Sequence, residues 1–251
     1  MFELKKVIKA RKILNLVTSF LFKLFQIRLN YKEKRPDYGI EIFEYFYLPW
    51  RSDTEFTNFY NVISEYTLNP TSRLYSIFDL SKRHLLPNTT FIEVGCWRGG
   101  TAGLIALANK DKNVDFILCD TFDGVVNAST KDSFFKGNEY SNATYESIKK
   151  LENKINYKLK VVQGIFPESI KSTKIIKPIS FAHIDVDTYI SAKESLEFIL
   201  ENSTKGTVIV LDDYGGWFTD GVTMYGNELK LKKDLFVVPN HLGQLVIYKI
   251  K

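Results

Sequence analysis

Cysteine and long apolar runs are both scarce in this chain of 251 residues. The two cysteines, Cys96 and Cys119, are too few for the disulfide framework of a small secreted domain and favour a reducing compartment. The longest uncharged stretch near the N-terminus, residues 13–22, is too short to span a membrane and lacks a small-residue cleavage site. We therefore expect a cytoplasmic protein.

Acidic side chains are scarce at the N-terminus only. Residues 1–35 carry ten basic and two acidic side chains, whereas the remaining 216 residues carry 24 basic and 27 acidic ones. The main part of the chain is thus mildly acidic, which disfavours nucleic acid as a partner. Hydrophobic residues make up 45% of the sequence, so the chain can bury a sizeable core.

The basic N-terminal segment, residues 2–29, alternates lysine and arginine clusters with leucine, valine and isoleucine. That spacing predicts one or two amphipathic helices. Such helices can lie on an anionic membrane surface, contact a partner subunit or pack on the main domain. We expect a homodimer, and peripheral membrane association stays open as an alternative.

The segment that follows is aromatic and then helical. Residues 40–50, IEIFEYFYLPW, predict a loop or lid. Two helical patterns lie around residues 53–66 and 72–86, and Pro87 with Asn88 ends the second. We therefore expect a helical N-terminal extension over residues 1–88.

From residue 89 onward, short apolar runs alternate with helical segments that begin near Thr101, Thr144, Pro167 and Ser191. The runs are residues 90–94, 115–119, 159–163, 179–184 and 207–211. Strands separated by helices predict a parallel sheet with helices on both faces. The final runs, residues 235–238 and 244–250, are joined by only five residues and must form an antiparallel hairpin. This is the seven-stranded sheet of the Rossmann-like α/β class I methyltransferase fold, predicted as one domain over residues 89–251.

A glycine-rich turn follows the first strand in EVGCWRGG, residues 93–100. Glycines there allow a tight turn and a close approach of the backbone to a ligand. The pattern is G-x-x-x-G-G, which disfavours a nicotinamide cofactor. Glu93 offers a carboxylate to a cationic ligand group, and Asp120 ends the second strand where it can accept hydrogen bonds from ribose hydroxyls. Together these features favour a nucleoside ligand.

Four aspartates, Asp185, Asp187, Asp212 and Asp213, follow two apolar strands that a single helix separates. Such strands are usually sheet neighbours, so we expect these carboxylates at one edge of the sheet. Crowded carboxylates repel each other unless they are protonated or neutralised, and Mg²⁺ or Ca²⁺ takes oxygen ligands. The sequence therefore predicts a divalent-metal site.

A phosphatase is the main alternative reading of the same aspartates. The stretches HIDVDT and VLDD are similar to the first and last acidic motifs of haloacid-dehalogenase-like phosphatases. That family needs further strands between the two motifs, but only 24 residues separate Asp187 from Asp212. It would also leave EVGCWRGG unexplained, so we reject it.

Five stretches in order, EVGCWRGGTA, CDTFDG, VVQGIFPESI, HIDVDTYISAKESL and GTVIVLDDYG, resemble the macrocin-type family of metal-dependent sugar O-methyltransferases. The resemblance covers residues 90–214 and implies S-adenosylmethionine as the methyl donor with a bound Mg²⁺-like ion, for which Ca²⁺ or Mn²⁺ can substitute. Thr188 replaces a more usual leucine, and residues 218–230 lack the family's basic helix. These departures leave the substrate open.

The resemblance also implies residue roles. Asp185, Asp212 and Asp213 match the metal ligands, and Asp187 matches the general base. His241, near the active site in this fold, is the alternative base, whereas His183 is expected in the core. The residues expected to bind the donor are Glu93, Gly95, Trp97, Arg98, Gly99, Thr101, Asp120, Thr121, Phe122, Gly164, Ile165, Phe166 and Asp185.

The expected function is therefore O-methylation of a sugar hydroxyl whose pKa a cation lowers. A nucleotide-linked hexose or heptose for a bacterial capsule or surface polysaccharide is the expected acceptor. An antibiotic sugar and a catechol-like molecule are the alternatives. A noncatalytic donor-binding protein is the alternative from another functional class.

Overall fold

The computed structural model describes residues 48–251 apart from 85, 113, 172 and 174–176, together with Leu16, Val17 and Phe20. The chain divides into two compact units, Met1–Leu48 and Pro49–Lys251. In the first unit, Leu16, Val17 and Phe20 are helical and exposed. The remaining predicted N-terminal helices and most of the predicted lid lie outside the described residues. The domain boundary at residue 88 stays a prediction.

A seven-stranded sheet forms the centre of the second unit. Its strand order is β3-β2-β1-β4-β5-β7-β6; the first five strands run parallel, and β7 is antiparallel to both β5 and β6. This confirms the predicted class I methyltransferase fold with its C-terminal hairpin. The strands are β1 Thr90–Val94, β2 Asp115–Asp120, β3 Lys160–Gln163, β4 Ile179–Ile184, β5 Ser203–Asp212, β6 Leu235–Asn240 and β7 Gln244–Lys249.

Six α-helices accompany the sheet within the described part of the second unit. They are α1 Thr54–Ile63, α2 Thr71–Arg83, α3 Gly100–Ala108, α4 Tyr145–Ile155, α5 Tyr189–Glu201 and α6 Asp220–Leu229. The helix predicted to begin near Pro167 is instead a single 3₁₀ turn, Glu168–Ile170. Only 15 residues join β3 to β4, and prolines without an N–H lie near both ends of this link.

Alternating side chains on the strands divide the core into two layers. On β1, Phe91 packs towards the helices α1 to α4, whereas Ile92 and Val94 pack towards α5 and α6. This is the two-residue periodicity of a strand buried on both faces. The order of the strands reverses between β1 and β4, and in open α/β sheets ligands bind at the carboxyl ends of strands beside such a reversal.

Candidate active site

A cavity of about 490 Å³ lies at the carboxyl ends of the parallel strands. Its walls come from the loops after β1, β2, β3, β4 and β5 and from the segment between α1 and α2. The cavity thus occupies the ligand position expected for this topology.

Gly95 is the point at which the loops after β1 and β4 come closest. Its N–H donates to the carbonyl of Cys119 at 2.9 Å, and the N–H of Asp185 donates to the carbonyl of Val94 at 2.9 Å. Gly95 has a φ of +81°, and a Cβ there would lie 1.9 Å from the carbonyl oxygen of Asp185. Only glycine fits this position, which brings the glycine-rich loop against the first aspartate.

Asp120 fixes the shape of the glycine-rich loop. Its Oδ2 accepts hydrogen bonds from the N–H groups of Cys96 and Trp97, both at 2.8 Å, and its Oδ1 accepts one from Phe122 N–H at 2.7 Å. These are charge-assisted bonds, which are stronger than neutral ones. Asp120 also lines the cavity, and its role in binding ribose stays a prediction.

The structure brings most of the predicted donor-binding residues to the cavity wall, as well as Asp187 and Asp213. The predicted donor-binding residues on the wall are Gly95, Trp97, Thr101, Asp120, Thr121, Gly164, Phe166 and Asp185. The other five are absent from the described lining: Glu93, Arg98, Gly99, Phe122 and Ile165.

Those five residues have other surroundings. The guanidinium of Arg98 lies 4.4 Å above the Trp97 ring, at a shallow opening beside the cavity. Gly99 approaches α4, Phe122 packs against Tyr145, and Ile165 is largely exposed. Their predicted contact with the donor stays a prediction.

The four aspartates Asp185, Asp187, Asp212 and Asp213, here called the carboxylate cluster, gather after β4 and β5, which are neighbours as predicted. Burial raises the pKa of both Asp185 and Asp187 well above the usual range, and the neighbouring carboxylates raise it further. Asp187 and Asp213 have φ values of +63° and +68°. Such left-handed backbone is uncommon outside glycine and concentrates at functional sites.

Asn69, in the segment between α1 and α2, and Arg73, in the first turn of α2, contact the carboxylate cluster. Arg73 Nη1 donates to Asp213 Oδ1 at 3.0 Å, and Arg73 Nε donates to the Leu242 carbonyl at 2.7 Å. Asn69 Nδ2 donates to Asp185 Oδ2 at 3.0 Å. Sequence reasoning missed both residues, because each lies more than 100 positions from its partner aspartate.

A buried chain of three ionisable groups lies beneath the cluster. His183 Nδ1 is 2.8 Å from Glu93 Oε1, and His183 Nε2 is 3.0 Å from Asp212 Oδ2. Burial alone would lower the pKa of His183, but its two carboxylate partners hold that pKa well above the ordinary value. The protonated ring then donates through both nitrogens. His183 is buried, as expected, but its paired carboxylates were not foreseen.

The register of β1 against β4 explains why Glu93 and His183 meet. Glu93 and His183 are direct neighbours across β1 and β4, so both side chains point to the same face of the sheet. Burial would raise the pKa of Asp212, but the hydrogen bond and charge of His183, together with Arg73 and Gln244, outweigh this and the pKa falls below its usual value. Asp212 is therefore an ionised carboxylate within the core.

The residues of the cluster fit a divalent cation. Asp212 Oδ1 is buried without a hydrogen bond of normal geometry in the described part of the chain, and its neighbouring polar group is the Gln244 side chain, whose Nε2 is likewise unpaired. Ligand atoms of His183, Asp185 and Asp212 lie within 4.8 Å of one another. Because both nitrogens of His183 already contact carboxylates, Asp185 and Asp212 are left as oxygen ligands in this group, and such ligands suit Mg²⁺, Ca²⁺ or Mn²⁺. Asp213, which lies outside this group and pairs with Arg73, stays a predicted ligand.

The two candidate bases differ in position. Asp187 lines the cavity, whereas His241 is exposed in the turn between β6 and β7 and is not among the described lining residues. Its neighbour Leu242 does line the cavity. This geometry favours Asp187 as the base.

Comparison with known proteins gave a family match. The sequence model of the macrocin O-methyltransferase family (TylF) matches residues 79–243, about two thirds of the chain. A search of curated proteins gave no match. The family match spans the glycine-rich loop, Asp120 and the carboxylate cluster.

Several solved methyltransferases share the fold. The O-methyltransferase NovP is 18% identical with a TM-score of 0.58, covering 74% of this chain and 83% of NovP. CalS11, a calicheamicin methyltransferase also described as a TDP-rhamnose 3′-O-methyltransferase, is 15% identical with a TM-score of 0.59, covering 86% and 99%. A Bacillus cereus O-methyltransferase in complex with SAH is 15% identical with a TM-score of 0.53, covering 79% and 91%.

Proposed function

Because the chain belongs to the macrocin O-methyltransferase family, we propose that it transfers the methyl group of S-adenosylmethionine to a sugar hydroxyl with the help of a divalent cation. The observation that carries this proposal is the shared cavity. The glycine-rich loop and the carboxylate cluster meet at Gly95 and Asp185, so a donor and a cation would be neighbours.

The donor would lie along the loops after β1, β2 and β3. Asp120 would accept hydrogen bonds from the ribose, as acids at this strand end do in nucleotide-binding folds. Phe166, which lines the cavity after β3, would pack against the adenine. The hydrogen bonds that Asp120 receives from the loop would hold this half of the cavity in shape before the donor binds.

Asp185, Asp212 and Asp213 would hold the cation. When bound, a divalent cation lowers the pKa of a coordinated hydroxyl, and S-adenosylmethionine supplies an electrophilic methyl group. Asp212 would be oriented by His183, which leaves its Oδ1 for coordination. Arg73 would balance part of the cluster's negative charge through Asp213.

Asp187 would accept the proton of the acceptor hydroxyl. A carboxylate in water is a weak base, but burial and the neighbouring carboxylates raise the pKa of Asp187 well above its usual range in the absence of a cation. Its position on the cavity wall lets it reach a hydroxyl held beside the cluster. Alignment of acceptor and donor in one cavity would supply a further part of the rate enhancement.

The acceptor we propose is a nucleotide-linked hexose or heptose, methylated for a capsule or surface polysaccharide. Support for the nucleotide linkage alone comes from CalS11, described as a TDP-rhamnose 3′-O-methyltransferase. An antibiotic sugar is the second candidate, favoured by the similarity to a calicheamicin methyltransferase.

The test is transfer of labelled methyl groups from S-adenosylmethionine to a panel of TDP-, UDP- and GDP-linked sugars, glycosylated antibiotics and catechols. We expect labelling of a nucleotide sugar with Mg²⁺ present. Labelling of glycosylated antibiotics alone would support the second candidate. Donor binding without labelling of any acceptor would refute the proposal and favour a noncatalytic donor-binding protein.

A further inference from the structure

Five aromatic side chains from two loops form a connected cluster of rings, here called the aromatic platform. Its members are Phe134, Phe135, Tyr140, Trp217 and Phe218. Ring centroids lie 5.4 Å apart for Phe134 and Phe135, 5.7 Å for Phe134 and Phe218, 5.2 Å for Trp217 and Phe218, and 6.4 Å for Phe135 and Tyr140. These spacings are typical of interacting aromatic rings.

The platform is continuous with the catalytic cavity. Tyr140 and Phe218 line the cavity together with Asp187 and Asp213. The platform therefore begins beside the proposed base.

Core packing does not account for the whole platform. Phe135 is fully buried and anchors the rings, but Phe134 is 50% exposed and Trp217 is 38% exposed. An aromatic surface that remains exposed beside a cavity is typical of a binding site.

The loop that carries Phe134 is fixed against α5, the helix that follows Asp187. Asp132 is buried and accepts hydrogen bonds from Ser129 N–H and from Tyr189 N–H at the start of α5, both at 2.9 Å. Thr188 Oγ1 donates to the Val126 carbonyl at 3.1 Å. Thr188 and Tyr189 directly follow Asp187, so the loop and the proposed base are held together.

We propose that the aromatic platform binds the sugar ring of the acceptor, an inference that rests on the proposed function. A hexose ring presents C–H groups on its face and hydroxyls around its edge. The face would stack on the exposed ring of Phe134 and on the partly buried ring of Phe218 beside it, while an edge hydroxyl would point towards Asp187. The platform would thus select for a saccharide and orient it for transfer.

The test measures binding by calorimetry to the full chain loaded with SAH, with TDP-rhamnose and TDP as probes. Phe134→Ala should weaken binding of TDP-rhamnose about three- to tenfold and leave TDP unchanged. Phe134→Tyr should retain the affinity, because it keeps the ring, whereas Phe134→Leu should not. Phe236→Ala is the matched control, because Phe236 is 59% exposed on β6, outside the cavity lining, and should change neither affinity.

Unchanged binding of TDP-rhamnose to Phe134→Ala would overturn the proposal. Equal weakening of TDP and TDP-rhamnose would also overturn it, because the platform would then contact the nucleotide that both ligands share and not the sugar. If TDP-rhamnose does not bind, the UDP- and GDP-linked sugars of the panel replace it, with UDP or GDP as the matched probe. Binding of SAH without binding of any sugar would refute this inference and the proposed function together. Sugar binding that depends on Phe134 but leads to no transfer would refute only the proposed function.

Discussion

Asp187, the proposed general base, lies in the loop between β4 and α5. It lines the cavity, and its backbone has a left-handed conformation, which is uncommon outside glycine. The aspartate pattern in the sequence was sufficient to predict this position. It could not predict Arg73, Asn69 or the partners of His183, because those contacts join residues far apart in the chain.

Replacement of the proposed base tests its role. Asp187→Asn should lower kcat at least about 100-fold, because the amide cannot accept the hydroxyl proton. The affinity for S-adenosylmethionine should not change, since Asp187 is assigned to the acceptor. His241→Asn is the control and should retain activity. Steady-state kinetics and calorimetry measure both quantities, and full turnover by Asp187→Asn would refute the assignment.

Removal of His183 tests the buried chain of Glu93, His183 and Asp212. His183→Ala leaves two carboxylates buried without a partner and should lower the free energy of unfolding by about 3–5 kcal/mol. His183→Gln keeps a polar partner for at least one carboxylate and should be less destabilising. Urea denaturation in the presence of a chelator measures the free energy of unfolding of both variants and of the unchanged protein. Equal stability of all three would contradict a stabilising role of the contacts among Glu93, His183 and Asp212.

The loops after the strands position this chemistry, and the strands themselves are simple to predict. Uninterrupted apolar runs predicted the five parallel strands, because parallel strands are buried on both faces. The last two strands were predicted from two apolar runs joined by only five residues. The long loop between β2 and α4 carried no comparable signal. Asp132 holds that loop on α5, where Tyr140 lines the cavity and Phe134 and Phe135 pack against Phe218.

The contact between this loop and α5 can be broken at one residue. Asp132→Ala removes the acceptor for Tyr189 N–H and should lower the free energy of unfolding by about 1–2 kcal/mol. It should also raise the KM for the acceptor sugar, because the platform loses its anchor.

Asp53→Ala is the matched control for that change. Asp53 accepts a hydrogen bond from Phe56 N–H at the start of α1, so its loss should reduce stability to a similar degree. Asp53 is not among the described residues that line the cavity, and the KM should not change. Equal KM values for the two variants would contradict the positioning role of Asp132.

At the scale of the whole molecule, the sequence predicted five parallel strands with a C-terminal antiparallel hairpin and the shared edge of the four aspartates. Both cysteines are free and buried, which is consistent with their place at the ends of apolar runs. In the described part of the chain, no helix is long and apolar enough to cross a bilayer. The membrane contact and the homodimer assigned to residues 2–29 stay predictions, because that segment lies almost entirely outside the described residues.

The metal dependence of methyl transfer tests the central claim most directly. Protein treated with a chelator and then desalted is assayed with labelled S-adenosylmethionine and the sugar that the panel identifies, with and without Mg²⁺, Mn²⁺ or Ca²⁺. We predict that transfer is lost on chelation and returns with Mg²⁺ or Mn²⁺, while donor binding persists throughout. Full transfer by protein whose metal content is shown to be negligible would contradict the account, because the carboxylate cluster would then act without a cation.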